Sequence, residues 1–281
     1  MKLLIDSGAT KSEFILLKKD TQIHHFITKG INPNYNDDQH ITSVFNLFKE
    51  SLQNIKIDDI IEVVYYGAGC LSDENSARIH QLMEPIFSKS NISVHSDLMA
   101  VCHALCENQP GYIAILGTGS ASCYYDGEKI AERAPSLGYF LGDEGSGTYM
   151  GKKFIQQYLK NKLPKEVVDQ FETQFKVTVP DVYTKVYREL NHQSFFGMIP
   201  HFLEHFLEFE EIRAIIIDSF CDFFYAQQEY YQKEHIEWNI SGSIGYHFDE
   251  LLRVAASKSG FLVRKIIKAP LQEIILNHQK S

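Results

Sequence analysis

Apolar residues in the first third of the chain recur in the short runs that are typical of β-strands. The first three runs are separated by two brief polar connections, and such connections predict an antiparallel meander. Helical periodicity then alternates with further strands. The predicted elements are strands over 2–6, 13–17, 22–28, 60–66 and 92–95, and helices over 39–53, 74–89 and 99–106.

The same order of elements begins again after Pro110-Gly111. A long, mostly helical stretch follows the second meander, with breaks near Leu163-Pro164 and Pro180, and a last helix is predicted from Pro270. This repeat predicts two similar α/β halves with a cleft between them, and clefts between domains commonly bind small ligands. The second set comprises strands over 112–116, 121–125, 129–131, 236–240 and 261–266, with helical pattern over most of 145–233.

Composition narrows the functional classes. Of the 281 residues, 44% are hydrophobic and 22% are charged, which excludes a disordered or low-complexity chain. The net charge of −9 argues against a nucleic-acid-binding protein that relies on phosphate contacts. Five scattered cysteines are typical of reduced thiols, and no apolar run approaches the roughly 20 residues of a membrane-spanning helix. We therefore expect a soluble, cytoplasmic protein with neither nucleic acid nor membrane as a partner.

The first predicted hairpin carries a polar turn, Asp6-Ser7-Gly8-Ala9-Thr10-Lys11-Ser12. Glycine lets backbone N–H groups approach an anion closely, and the hydroxyl and ammonium groups of the turn add donors. Asp6 ends a buried strand and is placed to hold Mg²⁺, directly or through water. A plain hairpin with a capping aspartate is the alternative.

A second turn of this kind, Gly117-Thr118-Gly119-Ser120, occupies the corresponding place in the second half. Two such turns facing each other across a cleft could hold a polyphosphate from both sides. Late in the chain, Ser241-Gly242-Ser243-Ile244-Gly245 joins a strand to a helix, and its small residues would let a flat ring lie on the backbone. An ordinary helix cap from Ser243 is the alternative there.

Two aspartates at element ends are candidates for the acidic groups of a phosphoryl-transfer site. Phosphoryl transfer to an alcohol needs a carboxylate that accepts the hydroxyl proton and Mg²⁺ that neutralises the phosphates. Asp97 ends a predicted strand and opens a helix, and Asp143 precedes a glycine-rich helix start. Each could instead be only a helix N-cap.

As an ordered set spanning nearly the whole chain, these motifs resemble the BadF/BadG/BcrA/BcrD ATPase family, and within it the N-acetylglucosamine-kinase-like branch. The resemblance implies the actin/sugar kinase/Hsp70 fold, in which two α/β ribonuclease-H-like lobes enclose an interlobe nucleotide cleft. The N-terminal lobe would comprise 1–110 plus about 267–281, and the C-terminal lobe 111–266. The motifs are Asp6–Ser12, Gly67–Cys70, His95–Asp97, Gly117–Ser120, Leu141–Gly147 and Gly242-Ser243.

The resemblance also implies roles for individual residues. Asp97 would be the general base, and Asp6 would hold Mg²⁺. The residues implied to bind ATP are Ser7, Gly8, Ala9, Thr10 and Lys11, then Gly117, Thr118, Gly119 and Ser120, and for the adenosine Gly242 and Ser243. The residues implied to bind the sugar are Asn32, Gly69, Asp97, Thr118 and Asp143.

One position departs from this pattern. Ala121 follows the second turn, where related sugar kinases carry an asparagine that contacts the sugar.

From the resemblance as a whole we expect an ATP- and Mg²⁺-dependent kinase of an amino sugar or N-acetylhexosamine similar to N-acetylglucosamine. Asp97 would take the proton from a hydroxyl, expected to be the primary 6-OH. Its partners would be the sugar and ATP, and the chain could form a homodimer.

Three other interpretations stay open at this point. The first is an ATPase activator of a radical dehydratase, since such activators belong to the same superfamily and bridge an iron–sulfur cluster. Cys102 and Cys106 lie four residues apart and could in principle ligate a metal. Their apolar neighbours favour buried structural thiols instead. His201, Glu204 and His205 fit the pattern of some zinc peptidases, but their neighbours favour ordinary helix packing. The third interpretation, an ATP-binding regulator without turnover, is disfavoured by the presence of Asp97.

Overall fold

The computed structural model describes residues 1–8, 11–19, 21–189, 192–233 and 236–280, with side chains as far as residue 277. The chain divides into two compact units. Unit 1 comprises Met1–Glu107 and Pro270–Ser281, and unit 2 comprises Asn108–Ala269. Within the described ranges, no helix is both long and apolar enough to cross a membrane.

Unit 1 is built on a mixed five-stranded sheet. Its strands are β1 (Lys2–Ser7), β2 (Lys11–Lys18), β3 (Thr21–Lys29), β4 (Glu62–Gly67) and β5 (Asn91–Ser96). Its helices are α1 (Asp38–Ser51), α2 (Asp73–Met83), α3 (Asp97–Leu105) and the C-terminal helix Pro270–Lys280, with a 3₁₀ turn at Ile57–Asp59. The strand order is β3-β2-β1-β4-β5, in which the predicted meander is antiparallel and β4 and β5 run parallel to β1.

The burial pattern of unit 1 explains this arrangement. Leu3, Leu4 and Ile5 of the central strand β1 are fully buried, so both faces of that strand are covered and its apolar run is unbroken. The edge strand β3 instead alternates between exposed and half-buried residues. Helix α1 buries one apolar face, with residues spaced three and four apart: Ile41, Val44, Phe45 and Phe48.

Unit 2 repeats this strand order and adds helices. Its strands are β6 (Gly111–Leu116), β7 (Ser120–Tyr125), β8 (Ile130–Arg133), β9 (Glu237–Ser241) and β10 (Leu262–Ile267). Its helices are α4 (Gly138–Leu141), α5 (Gly147–Leu159), α6 (Lys165–Phe175), α7 (Val179–Tyr187), α8 (His192–Leu203), α9 (Glu210–Tyr231), α10 (Ser243–His247) and α11 (Asp249–Lys258), with a 3₁₀ turn at Glu204–Phe206. The order β10-β9-β6-β7-β8 is that of unit 1 traced from the opposite edge, so the predicted α/β repeat is confirmed.

Two predicted element boundaries need correction, both at prolines. Helix α2 ends at Met83, six residues before the predicted end, because Pro85 has no N–H with which to continue the helical hydrogen bonds. Pro180 is the second residue of α7 and does not break a helix, since the first turn does not require the missing N–H.

Candidate functional site

The carboxyl ends of β1, β4 and β5 lie side by side at one edge of the unit 1 sheet. In register, Ser7 pairs with Gly67, and Gly67 pairs with Ser96. The Ala68 amide also donates a hydrogen bond to the Ser7 carbonyl at 2.8 Å. In α/β sheets of this kind, ligands bind outside the carboxyl ends of parallel strands. The structure therefore brings three separate sequence motifs of unit 1 to the edge where a ligand is expected.

Asp97 opens α3 at this edge, and the cap of that helix is its neighbour Ser96. The Ser96 hydroxyl accepts a hydrogen bond from the Met99 amide at 3.2 Å, while the Asp97 carboxylate accepts one from the Leu98 amide at 2.8 Å. The interpretation of Asp97 as a mere N-cap therefore does not apply.

Asp6 is a second carboxylate at the same edge, paired in register with Glu13 of β2 and Tyr66 of β4. The pKa of Asp6 is raised to about 6, by burial above all and then by the negative charges of Asp97 and Glu13, against an opposing effect of Lys11. Asp97 is thus close enough for its charge to act on Asp6. The structure brings together the predicted base and the predicted metal ligand.

This donor set fits Mg²⁺, which prefers carboxylate oxygens and usually keeps several non-protein ligands. A divalent cation would relieve the repulsion between two carboxylates, one of which is largely removed from water. Among the described residues, no group of three or more His, Cys, Asp or Glu side chains could hold a metal ion by itself. A Mg²⁺ ion held through Asp6 would therefore depend on oxygens of nucleotide or water.

The surroundings of Asp97 also hold a buried thiol. The pKa of Cys70 is raised to about 12, by burial above all and then by the charge of Asp97. Because a thiol with so high a pKa stays protonated at neutral pH, Cys70 is a neutral neighbour of Asp97 and not a nucleophile.

The first turn is anchored through Ser7. The Ser7 hydroxyl is fully buried, lies 2.5 Å from the Ser12 hydroxyl and accepts a hydrogen bond from the Ile31 amide at 3.0 Å. It therefore ties the hairpin to the loop after β3. The Gly8 amide donates to the Lys11 carbonyl at 2.9 Å. The predicted contacts Ala9 and Thr10 lie outside the described residues.

Lys11 is partnered by a carboxylate on its own strand. Its ammonium lies 2.9 Å from the Glu13 carboxylate, which also contacts the His25 ring at 2.9 Å. The Lys11 side chain is 57% exposed, so it can exchange this partner for a phosphate, and the His25 ring would remain beside the Glu13 carboxylate.

Two predicted sugar contacts, Asn32 and Gly69, meet at the same end of unit 1. Gly69 has φ +82°, and a Cβ there would lie 2.5 Å from the Asn32 side-chain oxygen, so only glycine fits. Asn75 joins them, because its amide group donates at 2.8 Å both to the Gly69 carbonyl and to the Asn34 side chain. The result is a cluster of amide side chains, which are suitable partners for sugar hydroxyls.

Arg78 of α2 holds the loop that carries these asparagines. Its guanidinium donates to the Pro33 carbonyl at 2.6 Å, to the Asn36 carbonyl at 3.0 Å and to the Asp38 carboxylate at 2.8 Å. The sequence analysis missed Arg78 and Asn75, since their partners lie about forty residues away and no local pattern marks them. We call residues 32–38, with Arg78, the clamped loop.

In unit 2, backbone hydrogen bonds from the start of α5 hold the Gly117–Ser120 turn in place. The amides of Gly147 and Thr148, at the start of α5, donate to the carbonyls of Gly117 and Thr118 at 2.9 and 3.2 Å. A Cβ placed on Gly117 would have nothing within 4 Å, so that part of the backbone faces open space. The turn is therefore rigid and open, as a backbone anion site requires.

Asp143 closes the same turn. Its backbone is left-handed (φ +59°), and its carboxylate accepts a hydrogen bond from the Ser120 amide. Burial raises the pKa of Asp143, and the Ser120 amide and the charge of Lys152 act against that shift. The cap of α5 is Ser146, which accepts from the Tyr149 amide at 3.2 Å, so Asp143 is not a cap.

The Gly242-Ser243 turn lies against the end of β6. Gly242 has φ +122°, and a Cβ there would lie 2.3 Å from the Leu116 carbonyl oxygen, so any side chain would collide with backbone. Its amide donates to the Ile267 carbonyl at 3.0 Å. Helix α10 begins at Ser243 with no side-chain capping bond, so the alternative of a Ser243 cap is wrong.

The two metal-binding alternatives receive no support from the described residues. Cys102 and Cys106 are buried on α3 and belong to no metal cluster. Helix α8 ends at Leu203, which leaves His205 in the following 3₁₀ turn, and Glu204 instead contacts His201 at 3.5 Å and His247 at 3.6 Å. His201 and His205 therefore do not lie on one helix, as the zinc-peptidase pattern would require.

The chain is similar to two proteins whose names both refer to an N-acetylglucosamine kinase. A solved structure of a candidate N-acetylglucosamine kinase from Porphyromonas gingivalis is 29% identical, with a TM-score of 0.91 over 100% of this chain and 99% of that chain. A curated N-acetylmuramic acid/N-acetylglucosamine kinase from Clostridium acetobutylicum is 26% identical over 161 residues, which is 56% of this chain and 53% of that protein. The chain thus spans about half the length of this curated relative.

A more distant solved structure confirms the fold alone. A candidate N-acetylglucosamine kinase from Chromobacterium violaceum is 15% identical, with a TM-score of 0.76 over 99% of this chain and 98% of that chain. The names of both of the more similar proteins are those of sugar kinases, the class that the sequence analysis expects. The family model of the BadF/BadG/BcrA/BcrD ATPases matches residues 4–162, which is more than half of the sequence. The chain belongs to the BadF/BadG/BcrA/BcrD ATPase family.

Proposed function

We propose that the chain is an ATP- and Mg²⁺-dependent kinase that phosphorylates an amino sugar or an N-acetylhexosamine similar to N-acetylglucosamine. The observation that carries this proposal is the placement of Asp97 and Asp6 together at the strand-end edge of unit 1, with the capping role taken by Ser96. A regulator that only bound ATP would not need a carboxylate held in this way.

Asp97 is the general base of the proposed reaction. It accepts the proton of a sugar hydroxyl, the primary 6-OH, as that oxygen forms a bond to the γ-phosphorus of ATP. The bond from the γ-phosphorus to the oxygen shared with the β-phosphate breaks, and ADP leaves with the electron pair. Asp97 suits this role because its carboxylate is fixed by the Leu98 amide and by its place on α3.

The nucleotide contacts are assigned to both units. Gly8 and Lys11, with Ala9, Thr10 and the Ser7 backbone, would bind phosphate oxygens, as would the backbone and hydroxyls of Gly117–Ser120. Gly242 and Ser243 would lie against the adenosine. Asp6 would hold Mg²⁺, which neutralises phosphate charge when bound.

The sugar contacts are assigned to Asn32, Gly69, Thr118 and Asp143, besides Asp97. The amide cluster around Asn32 offers donors and acceptors that the clamped loop holds in place. Such preorganisation favours a polyhydroxy ligand, since few rotamers have to be fixed on binding.

The five buried cysteines, none of them in a disulfide, support a reducing compartment such as the cytoplasm.

Asp97→Asn tests the proposal directly. We expect kcat for phosphorylation of N-acetylglucosamine to fall by about 1000-fold, as is typical when a general base is removed, with the Kd for ATP changed by less than about threefold. Asp73→Asn is the matched control, because Asp73 also follows a serine N-cap and opens a helix, but is exposed on α2. Turnover by Asp97→Asn at the wild-type rate would contradict the mechanism.

A further inference from the structure

A cavity of about 610 Å³ lies within unit 2, next to the Gly117–Ser120 turn. The start of β7, the segments 134–137 and 142–144, and one face of α9 form its wall. We call it the β7–α9 cavity. It reaches both Ser120 and Asp143, which belong to the proposed ATP and sugar contacts respectively.

The wall of this cavity carries carboxylates and no opposite charge. Asp143, Glu144 and Glu229 line it, and none of the described residues that line it is a lysine, arginine or histidine. Lys152 is the nearby cation whose charge acts on Asp143 and Glu144, but its ammonium donates to the Tyr139 carbonyl. The described lining residues thus carry three carboxylates and no cationic side chain.

The remaining lining is neutral, and two of its buried polar side chains are paired with each other. Ser122 and Gln227 are buried in the wall, and the Ser122 hydroxyl donates to the Gln227 side-chain oxygen at 2.5 Å. Ala121 contributes only a methyl group between the two serines of β7. No cationic donor in this wall would pair with an anion that entered, so the anion would lose water without a replacement.

We propose that the β7–α9 cavity receives a ring substituent of the acceptor sugar and selects it by charge, admitting neutral or cationic substituents and rejecting anionic ones. This inference rests on the proposed function, because it takes Asp143 as a sugar contact. N-acetylglucosamine and N-acetylmuramate are a suitable pair of probes, since N-acetylmuramate differs by an O-linked lactyl group that carries a carboxylate. The cavity therefore assigns the chain to N-acetylhexosamines, whose amide is neutral, and to hexosamines, whose amine is protonated.

Equilibrium binding tests this selection without requiring turnover. Calorimetric titration of the full chain with each sugar should give a Kd for N-acetylglucosamine at least about 30-fold below that for N-acetylmuramate. In the double variant Glu144→Gln/Glu229→Gln the preference should shrink to less than about threefold, because the amides keep the shape and remove the charge. The matched control is Glu128→Gln/Glu237→Gln, which removes two carboxylates of unit 2 that do not line the cavity and should keep the full preference.

The outcomes separate this inference from the proposed function. Equal affinity for the two sugars, or a preference unchanged in the Glu144→Gln/Glu229→Gln variant, would overturn the charge selection even if both sugars are phosphorylated. Selective binding that the variant abolishes would support it, even if no sugar is phosphorylated and the kinase proposal fails. Binding of neither sugar would overturn both.

Discussion

The first strand of unit 1 and the first strand of unit 2 occupy the same place in the same strand order but end in different chemistry. β1 ends in Asp6 and Ser7, whereas β6 ends in Ile115 and Leu116 before an open glycine turn. The last strand of unit 1 leads directly into Asp97, and the last strand of unit 2 leads to the C-terminal helix. The repeated framework thus carries carboxylates in one copy and small-residue turns in the other.

The two units also differ in the segment that joins the third strand to the fourth along the chain, which is β3 to β4 in unit 1 and β8 to β9 in unit 2. In unit 1 this connection holds α1 and a 3₁₀ turn, whereas in unit 2 it holds α4 to α9. The longer connection supplies Asp143, which closes the Gly117–Ser120 turn, and most of the β7–α9 cavity wall. Under the proposed function, proton transfer and metal binding fall to the strand ends that unit 1 shares in order with unit 2, and selection of the acceptor's ring substituent falls to the helical insertion of unit 2.

Asp6→Asn should break the carboxylate pair of unit 1 and give the largest effect of three further variants. We expect kcat to fall by about 100-fold, because the proposed Mg²⁺ ligand is lost. Asp73→Asn, which removes an exposed carboxylate of the same unit, should leave kcat within about twofold. A fully active Asp6→Asn variant would contradict the division between the units.

The same substitution should stabilise the fold at neutral pH. Because the pKa of Asp6 is raised to about 6, the folded state binds this proton more tightly than the unfolded state, and the ionised carboxylate costs stability above pH 6. That cost is up to about 3 kcal/mol, since one pKa unit corresponds to about 1.4 kcal/mol. The Tm gain of Asp6→Asn over wild type, measured without Mg²⁺, should be present at pH 8 and shrink as pH falls from 6 towards 4. A gain independent of pH would show that charge is not its cause.

Gly242→Ala should act on unit 2, through packing and not through charge. The new Cβ would collide with the Leu116 carbonyl, so we expect about 2–3 kcal/mol of destabilisation by chemical denaturation and weaker ATP binding. Gly260→Ala is the matched control, because Gly260 also has positive φ (+80°) but a Cβ there meets nothing within 4 Å. The control should cost about 1 kcal/mol, and equal losses in both variants would mean that the contact with Leu116 is unimportant.

Arg78→Ala should give the smallest effect of the three variants, and it tests whether the clamped loop positions the sugar. We expect KM for the sugar to rise by about tenfold with kcat within about twofold, because Arg78 orders the loop and does not touch the reacting atoms. Arg78→Lys should recover little of the loss, since an ammonium cannot reach three acceptors as a planar guanidinium does. Arg253→Ala removes a similar arginine that contacts Asp249 and the Val263 carbonyl in unit 2, and it should leave KM unchanged.

The sequence was sufficient to predict the framework of strands and helices and the positions of the motifs along the chain. It was not sufficient to predict the contacts that hold those motifs in place. Runs such as Leu3–Ile5 mark buried strands, and Ser96-Asp97 marks a helix start, because these signals are local. Which of Ser96 and Asp97 is the cap depends on backbone geometry that either residue type allows. The contact of Asp143 with the Ser120 amide requires a left-handed backbone at residue 143, and the contacts of Arg78 join segments about forty residues apart. Local periodicity contains neither kind of information.

Product analysis tests the central claim most directly. The full chain would be incubated with ATP, Mg²⁺ and N-acetylglucosamine, and the products followed by ³¹P NMR together with ADP release. The account predicts one sugar phosphomonoester, at the 6-position, for each ADP formed, and no accumulation of inorganic phosphate. Formation of ADP and inorganic phosphate at the same rate with and without sugar would contradict the kinase account and identify the chain as an ATPase.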